Sequence, residues 1–308
     1  MTSRYPRYRG YWAREGEDVV RVSRRGLSCL VFAVGMATML LPHSAHAQQF
    51  QPRWRPPNWV GELTFLGTNS LIGALTGGVL QKIRGGSFSD GFARGALGGG
   101  IVYLGKRVTV ARFDGAGFLA REIAAVGTSF VRNASEGVPT LSRFTFPVGP
   151  TRLHVTPAAE NPLRLSVDLA ELVWTTYAIA EPALSLHVGK SFSAGAAVFV
   201  AENRTIRRDD EIIEGLTGPG TIFLAGRAVS NPDAVFAHER VHVIQLDFYS
   251  QAWFIPLERW LLRNTPIAPV QRYVDFNILT SLYLSGWSAI VQREDRLEEI
   301  EANFLQIR

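Results

Sequence analysis

The spacing of apolar residues changes twice along the chain and divides it into three regions. Residues 62–135 favour helices, residues 140–226 favour short strands, and residues 231–308 favour helices again. The pattern therefore predicts an α+β fold, with a glycine-rich helical region, a small antiparallel sheet and a helical C-terminal half.

The first helical region carries a stripe of glycines. Helices are predicted at 62–82, 87–112 and 116–133, and the first two carry glycines four residues apart, at Gly73 and Gly77 and at Gly91, Gly95 and Gly99. Residues at this spacing share a helix face, and glycine there lets two backbones approach closely. The expected product is an antiparallel hairpin that turns at residues 84–86.

The same region raises the question of a membrane. Leu63–Leu80 is uncharged for 18 residues, which is the lower limit for a transmembrane helix, but it contains several polar residues and glycines. Two interpretations stay open: a membrane-inserted helix, or a packed hairpin that associates with a membrane through residues 62–112.

The middle region consists of short runs of branched and aromatic residues separated by glycine and proline turns. Strands are predicted at 141–148, 152–156, 163–168, 184–188, 196–201 and 221–225, with a helix inserted at 169–180.

The C-terminal region begins with a strong helix start at Asn231-Pro232-Asp233, which combines a side-chain cap, a proline and an early acid. This helix should extend to about Ser250. Further helices are predicted at 276–291 and 294–305.

The amino terminus has the features of an export signal. Arg24 and Arg25 precede an apolar run at 27–41, and Ala45-His46-Ala47 supplies a small-x-small cleavage pattern. We expect residues 1–47 to be a signal peptide, for either the general secretory or the twin-arginine route, and residues 48–61 to be a proline-rich linker. The protein would then be periplasmic, envelope-bound or secreted. The only cysteine, Cys29, lies in this leader, so disulfides and thiolate chemistry are excluded from the expected mature chain.

Charge argues against a nucleic-acid partner. The whole chain has a formal charge of +5, but residues 1–47 contain seven arginines and three acids, which leaves 25 basic and 24 acidic residues in the remainder. Phosphate binding needs a concentrated basic face, which a net charge of +1 does not indicate.

The strongest chemical signal is the string His238-Glu239-Arg240-Val241-His242 in the helix predicted from residue 231. Histidines one turn apart project from the same face toward a common point, which suits a tetrahedral Zn²⁺ ion. Glu239, next to the first histidine, can serve as the base that deprotonates a zinc-activated water. The sequence therefore predicts a zinc-dependent hydrolase with His238 and His242 as ligands.

This motif resembles that of the gluzincin group of zinc metallopeptidases, which pair HExxH with a glutamate ligand on a later helix, often in the context E-x-x-(A/S)-D. Residues 299–303, EIEAN, match that context except at Asn303. The resemblance implies Glu299 as the third metal ligand, with Glu301 as the alternative, and residues 136–308 as the metallohydrolase domain. Asp247 could instead fill the role of the missing aspartate and orient a ligating histidine, and Gln245 is expected either to pack between helices or to support the metal ligands.

The resemblance also implies an edge strand before the motif helix, where an extended peptide or protein substrate can pair, and Thr221–Ala225 is expected to be that strand. His154 and His187, in strand-like runs, are weaker candidates to donate to a developing oxyanion. A different function stays open: a noncatalytic, membrane-associated envelope protein in which the HExxH helix is only structural.

Overall fold

The computed structural model describes residues 58–111, 113–202, 206–208, 211–226, 231–283 and 297–306. The predicted leader and the linker residues 48–57 lie outside these ranges. Helices, two four-stranded sheets and a two-stranded ribbon make up the described part of the chain, so the predicted α+β class is confirmed.

Three helices open the described chain: α1 at Asn58–Ile83, α2 at Phe88–Thr109 and α3 at Ala116–Ser135. They correspond to the three predicted helices. Ser87 caps α2 by accepting a hydrogen bond from the amide of Asp90, and Gly85 adopts a left-handed φ of 86° in the turn before it. The tight turn folds α1 and α2 into the expected antiparallel hairpin.

The glycine stripe brings these helices into backbone contact. A Cβ on Gly73 would overlap the carbonyl oxygen of Gly95, and a Cβ on Gly99 would overlap that of Asn69. On the opposite side of α2, a Cβ on Gly98 would overlap the carbonyl oxygen of Gly127 in α3, and a Cβ on Gly127 would overlap the carbonyl oxygen of Gly98. The three helices therefore pack more closely than any larger residue at these positions would allow.

By length and composition, α1 is the one helix among the described residues that could cross a membrane, from Trp59 to Ile83. Within its most apolar window, 44% of the residues are buried by the rest of the protein. Almost half of the residues in this stretch therefore face the rest of the protein.

The first sheet contains β1 at Phe144–Val148, β2 at Thr151–Val155, β3 at Leu163–Asp168 and the short β10 at Val274–Asp275. The order is β1-β2-β3-β10, and β10 lies parallel to β3. Helix α4, at Leu169–Ala180, follows β3 directly and is capped by Asp168. It confirms the helix predicted at 169–180.

The second sheet has the order β4-β5-β9-β8, with β4 at Ser185–Leu186, β5 at Ala197–Ala201, β8 at Gly215–Gly218 and β9 at Thr221–Ala225. A short helix, α5, at Val188–Ala194, joins β4 to β5, and β6 (Ile206–Arg208) pairs with β7 (Glu211–Ile213) in a separate two-stranded ribbon.

The strands thus do not form one antiparallel sheet. Each four-stranded sheet contains one parallel pair, β3 with β10 and β5 with β9, and in both pairs the two strands are not consecutive in the chain. The prediction that Thr221–Ala225 is an edge strand is wrong. All five of its residues are buried, and β8 covers its outer side through the turn at Gly218-Pro219-Gly220.

The motif helix, α6, covers Pro232–Tyr249, and its start is confirmed: the Asn231 side chain accepts from the amide of Ala234, and Asp233 lies in the first turn. A π-helical turn (Ser250–Phe254), helix α7 (Ile255–Leu262) and a 3₁₀ turn (Val270–Arg272) follow. Of the helix predicted at 276–291, residues 278–283 are helical and 284–291 lie outside the described residues. The last helix, α8, is described over Leu297–Gln306.

Helix α6 lies at the centre of the fold. Ile244 and Phe248 pack against Val102 of α2 and Ala124 of α3. Its other sides contact the second sheet through Val243 and helix α8 through a cluster of Val241, Ala302 and Leu305. Packing on these three sides fixes the direction in which the polar side chains of α6 project.

Candidate metal centre

His238 and His242 extend from the same face of α6 and meet at their ring tips. The two Nε2 atoms lie 2.9 Å apart, and the rings stand at 82° to each other. Both side chains are largely shielded from solvent, with 9% and 14% of their surface exposed. The one-turn spacing therefore produces the convergence that the sequence predicts.

Glu299, on α8, completes a group of three. Its Oε2 lies 3.1 Å from His238 Nε2 and 3.4 Å from His242 Nε2. Within the described ranges, these residues form the group of histidine and carboxylate ligand atoms that could share one ion. The helix carrying Glu299 is held against α6 by the apolar cluster of Val241, Ala302 and Leu305.

The dimensions of this group suit zinc. Tetrahedral bonds of about 2.0–2.1 Å separate two ligand atoms by roughly 3.3 Å, which is close to the three distances observed here. Two imidazoles and one carboxylate are also a donor set that zinc accepts, and three protein ligands rather than four are typical of catalytic zinc sites. The residues present therefore fit the predicted ion.

Gln245 is the residue that orients His242. Its Oε1 lies 2.7 Å from His242 Nδ1, one turn along α6. Asp247, the residue expected from the sequence to take this role, is engaged elsewhere: it pairs with Arg121 at 2.6 Å and with Arg152 at 3.3 Å. The helix geometry explains the difference, because residue 245 shares the face of residue 242, whereas residue 247 points away from it.

Glu301, the alternative third ligand, does not reach the group. Its carboxylate is buried and accepts hydrogen bonds from Lys106 at 2.6 Å, Asn69 at 2.6 Å and Gln245 at 2.9 Å. Residues 299 and 301 are separated by about 200° around the helix axis, so only one of them can face the two histidines.

Glu239 lies beneath strand β8. Its Oε2 accepts a hydrogen bond from Thr217 Oγ1 at 2.6 Å, and the absence of a side chain at Gly215 leaves room for its carboxylate. Only 2% of Glu239 is exposed. The strand that fixes this carboxylate has no branched or aromatic pattern, and Thr217 was therefore not identified from the sequence.

Opposing influences act on the pKa of His242. Burial lowers this pKa, but the hydrogen bond with Glu299 and the negative charge of Glu239 outweigh it and raise the pKa above its ordinary value. The surroundings of this ring therefore favour a positive charge at this position. A bound cation would also supply a positive charge there.

The two weaker histidine candidates have other roles. His154 is buried between Thr145 and Ser166 in the first sheet. His187 caps α5 by accepting a hydrogen bond from the amide of Lys190. Neither belongs to the ligand group of the described residues.

Comparisons of this chain with protein-family models, with curated proteins and with solved structures found no match. The functional argument therefore depends on the geometry of the site.

Proposed function

We propose that this chain is an exported zinc-dependent hydrolase, most consistent with a peptidase, in which His238, His242 and Glu299 bind the metal. The observation that carries the proposal is the convergence of their three ligand atoms at 2.9–3.4 Å. His238 and His242 come from one helix and Glu299 from another, so tertiary packing and not helix periodicity alone brings them together.

Glu239 is the proposed general base. When bound, zinc polarises a substrate carbonyl and lowers the pKa of a coordinated water to about 7. Glu239 follows His238 directly in α6, and its negative charge is one of the influences that raise the pKa of His242. The hydrogen bond from Thr217 holds the carboxylate, and a carboxylate so held accepts the proton of the attacking water.

The edge strand β8 supports a peptide as substrate. Among the described residues it is the outermost strand of its sheet, and its residue Thr217 donates a hydrogen bond to the proposed base. An extended peptide that adds to this edge by backbone hydrogen bonds would lie beside Glu239. The substrate-pairing role predicted for 221–225 is therefore reassigned to Gly215–Gly218.

Metal content and turnover test this proposal separately. Mature protein, residues 48–308, should hold about one zinc per chain by elemental analysis, and His238→Ala should lose it because two ligands bind zinc poorly. Glu239→Gln should retain the zinc but lose hydrolysis of a casein or mixed-peptide substrate by at least 100-fold, because the ligands remain and the base does not.

His187→Gln is the matched control, since His187 is exposed and lies outside the ligand group. Zinc retained at full occupancy in His238→Ala would contradict the metal assignment. A metal-free wild-type chain would instead favour the noncatalytic envelope function, in which the motif helix is structural.

A further inference from the structure

Gln245 links the ligand His242 to helix α8, and its amide can be oriented in only one way. The amide nitrogen lies 3.1 Å from the carbonyl oxygen of Glu298 and 2.9 Å from Glu301 Oε2. Both of these atoms are acceptors, so the NH₂ group must face them. The amide oxygen is therefore the atom that faces His242 Nδ1.

This orientation determines the tautomer of His242. An amide oxygen can only accept a hydrogen bond, so Nδ1 of the neutral ring must carry the proton. The Nε2 atom is then unprotonated, and its lone pair points at the group formed with His238 and Glu299. Gln245 thus prepares the ring for metal coordination through Nε2.

Glu301 in turn depends on the glycine-rich hairpin. Only 4% of Glu301 is exposed, and a buried carboxylate needs compensating partners. Lys106 of α2 supplies an ion pair at 2.6 Å, and Asn69 of α1 donates a hydrogen bond at 2.6 Å. Lys106 also donates to Asn69 at 2.8 Å, so these side chains form one closed network.

The glycine stripe makes this network possible. Asn69 belongs to α1 and Lys106 to α2, and the backbone of Asn69 lies directly against Gly99, where a side chain would overlap it. A wider separation of the two helices would draw Asn69 away from Lys106 and Glu301.

We propose that Lys106, Asn69 and Glu301 are positioning residues which act through Gln245 to hold His242 as an Nε2 metal ligand. The glycine-rich hairpin is thereby a structural component of the metal centre. The metal part of this inference rests on the proposed function, whereas the tautomer can be tested without any metal.

Removing the support should weaken metal binding without removing a ligand. Loss of a group that orients a ligating histidine typically lowers metal affinity by 10–100-fold. Gln245→Met should show a loss in that range. The double variant Lys106→Met/Glu301→Leu should show a loss of about tenfold, because the carbonyl of Glu298 still holds one amide hydrogen.

The double variant is preferred to a single change because it removes both charges of a buried pair, whereas removing one leaves the other uncompensated. Glu298→Gln is the matched control. Its side chain lies on the same helix and accepts from Tyr283 at 2.9 Å, and its backbone carbonyl is unchanged by the substitution.

The test has two readouts on the mature chain, with folding checked by circular dichroism. Long-range ¹H–¹⁵N spectra of the zinc-free protein at alkaline pH report which nitrogen of His242 carries the proton. Competition with a chelator reports the zinc dissociation constant. We expect an Nδ1 proton in wild type and in Glu298→Gln, and a mixture of both tautomers in the double variant.

A proton on Nε2 in the wild type would overturn the inference, as would a folded double variant with wild-type tautomer and zinc affinity. A wild-type chain with the Nδ1 proton but no zinc binding would overturn the proposed function and leave the positioning of His242 supported.

Discussion

His154 is a buried histidine whose two ring nitrogens both have partners. Ser166 Oγ donates to Asp275 at 3.0 Å, so it accepts from His154 Nε2 at 2.7 Å. The other nitrogen, Nδ1, then accepts from Thr145 Oγ1 at 3.0 Å. The neutral ring thus has both of its nitrogens paired in this site.

Burial, followed by the positive charges of Arg132 and Arg164, lowers the pKa of His154 to about 3, although Asp275 acts in the opposite direction. The unfolded chain protonates this ring near pH 6.5, so between pH 6.5 and 3 the unfolded state holds one proton more than the folded state. Stability should fall as the pH is lowered through this window, by up to about 1.4 kcal/mol per pH unit.

His154→Gln should remove the pH-dependent contribution of His154 to the unfolding free energy, while its amide still reaches Ser166. Urea denaturation at pH 7.5 and pH 5 should show a smaller loss of unfolding free energy in the variant than in the wild type, by about 2 kcal/mol. Equal losses in the two proteins would show that His154 does not carry the pH dependence.

At the residue scale, the sequence predicted the parts of the site that local geometry determines. His238, Glu239 and His242 lie within one helical turn, so their relation follows from helix periodicity. Glu299 was inferred from a family resemblance. Lys106 and Asn69 were not identified, because they are 139 and 176 residues from Gln245 in sequence and only the packing of four helices brings them to it.

At the scale of elements, helices were predicted better than strands. The starts of α2 and α6 follow from caps at Ser87 and Asn231, which act within three residues. Strand β8 was missed because its sequence, Gly-Leu-Thr-Gly, has no alternating pattern and its pairing depends on β9. The strand beside the proposed base is therefore one of those that the sequence did not predict.

The hairpin of α1 and α2 offers a direct comparison between two glycines. Gly99→Ala places a methyl group on the backbone of Asn69, so the helices must separate, and overpacking of this kind typically costs about 1–3 kcal/mol. Gly67→Ala lies on α1 with no atom within 4 Å of the added carbon. This change should be neutral or stabilise by up to about 1 kcal/mol, since alanine favours helix.

Thermal unfolding of both variants measures the difference in their stability. Zinc titration shows whether the same substitutions change metal binding. We expect Gly99→Ala also to weaken zinc binding, because Asn69 belongs to the network that supports Gln245 and His242. Equal stability of the two variants would show that close contact at Gly99 is not required.

At the scale of the whole molecule, the proposed ion would join the interior of the fold to its last described helix. Helix α6 is packed on several sides, whereas α8 contacts it through the cluster of Val241, Ala302 and Leu305 and through polar bonds from Gln245. A metal bound by His238, His242 and Glu299 therefore adds a further connection between α6 and α8 that the unfolded chain lacks.

This connection predicts that zinc stabilises the folded chain. Free zinc at 100 times its dissociation constant should add about 2.7 kcal/mol to the unfolding free energy, which for a chain of this size corresponds to a rise of about 5 °C in Tm relative to protein in EDTA. Glu299→Gln should lose most of the rise because it removes the ligand on α8, while Glu298→Gln, one position away, should keep it. A rise of the same size in Glu299→Gln would mean that zinc stabilises the chain without connecting α6 to α8.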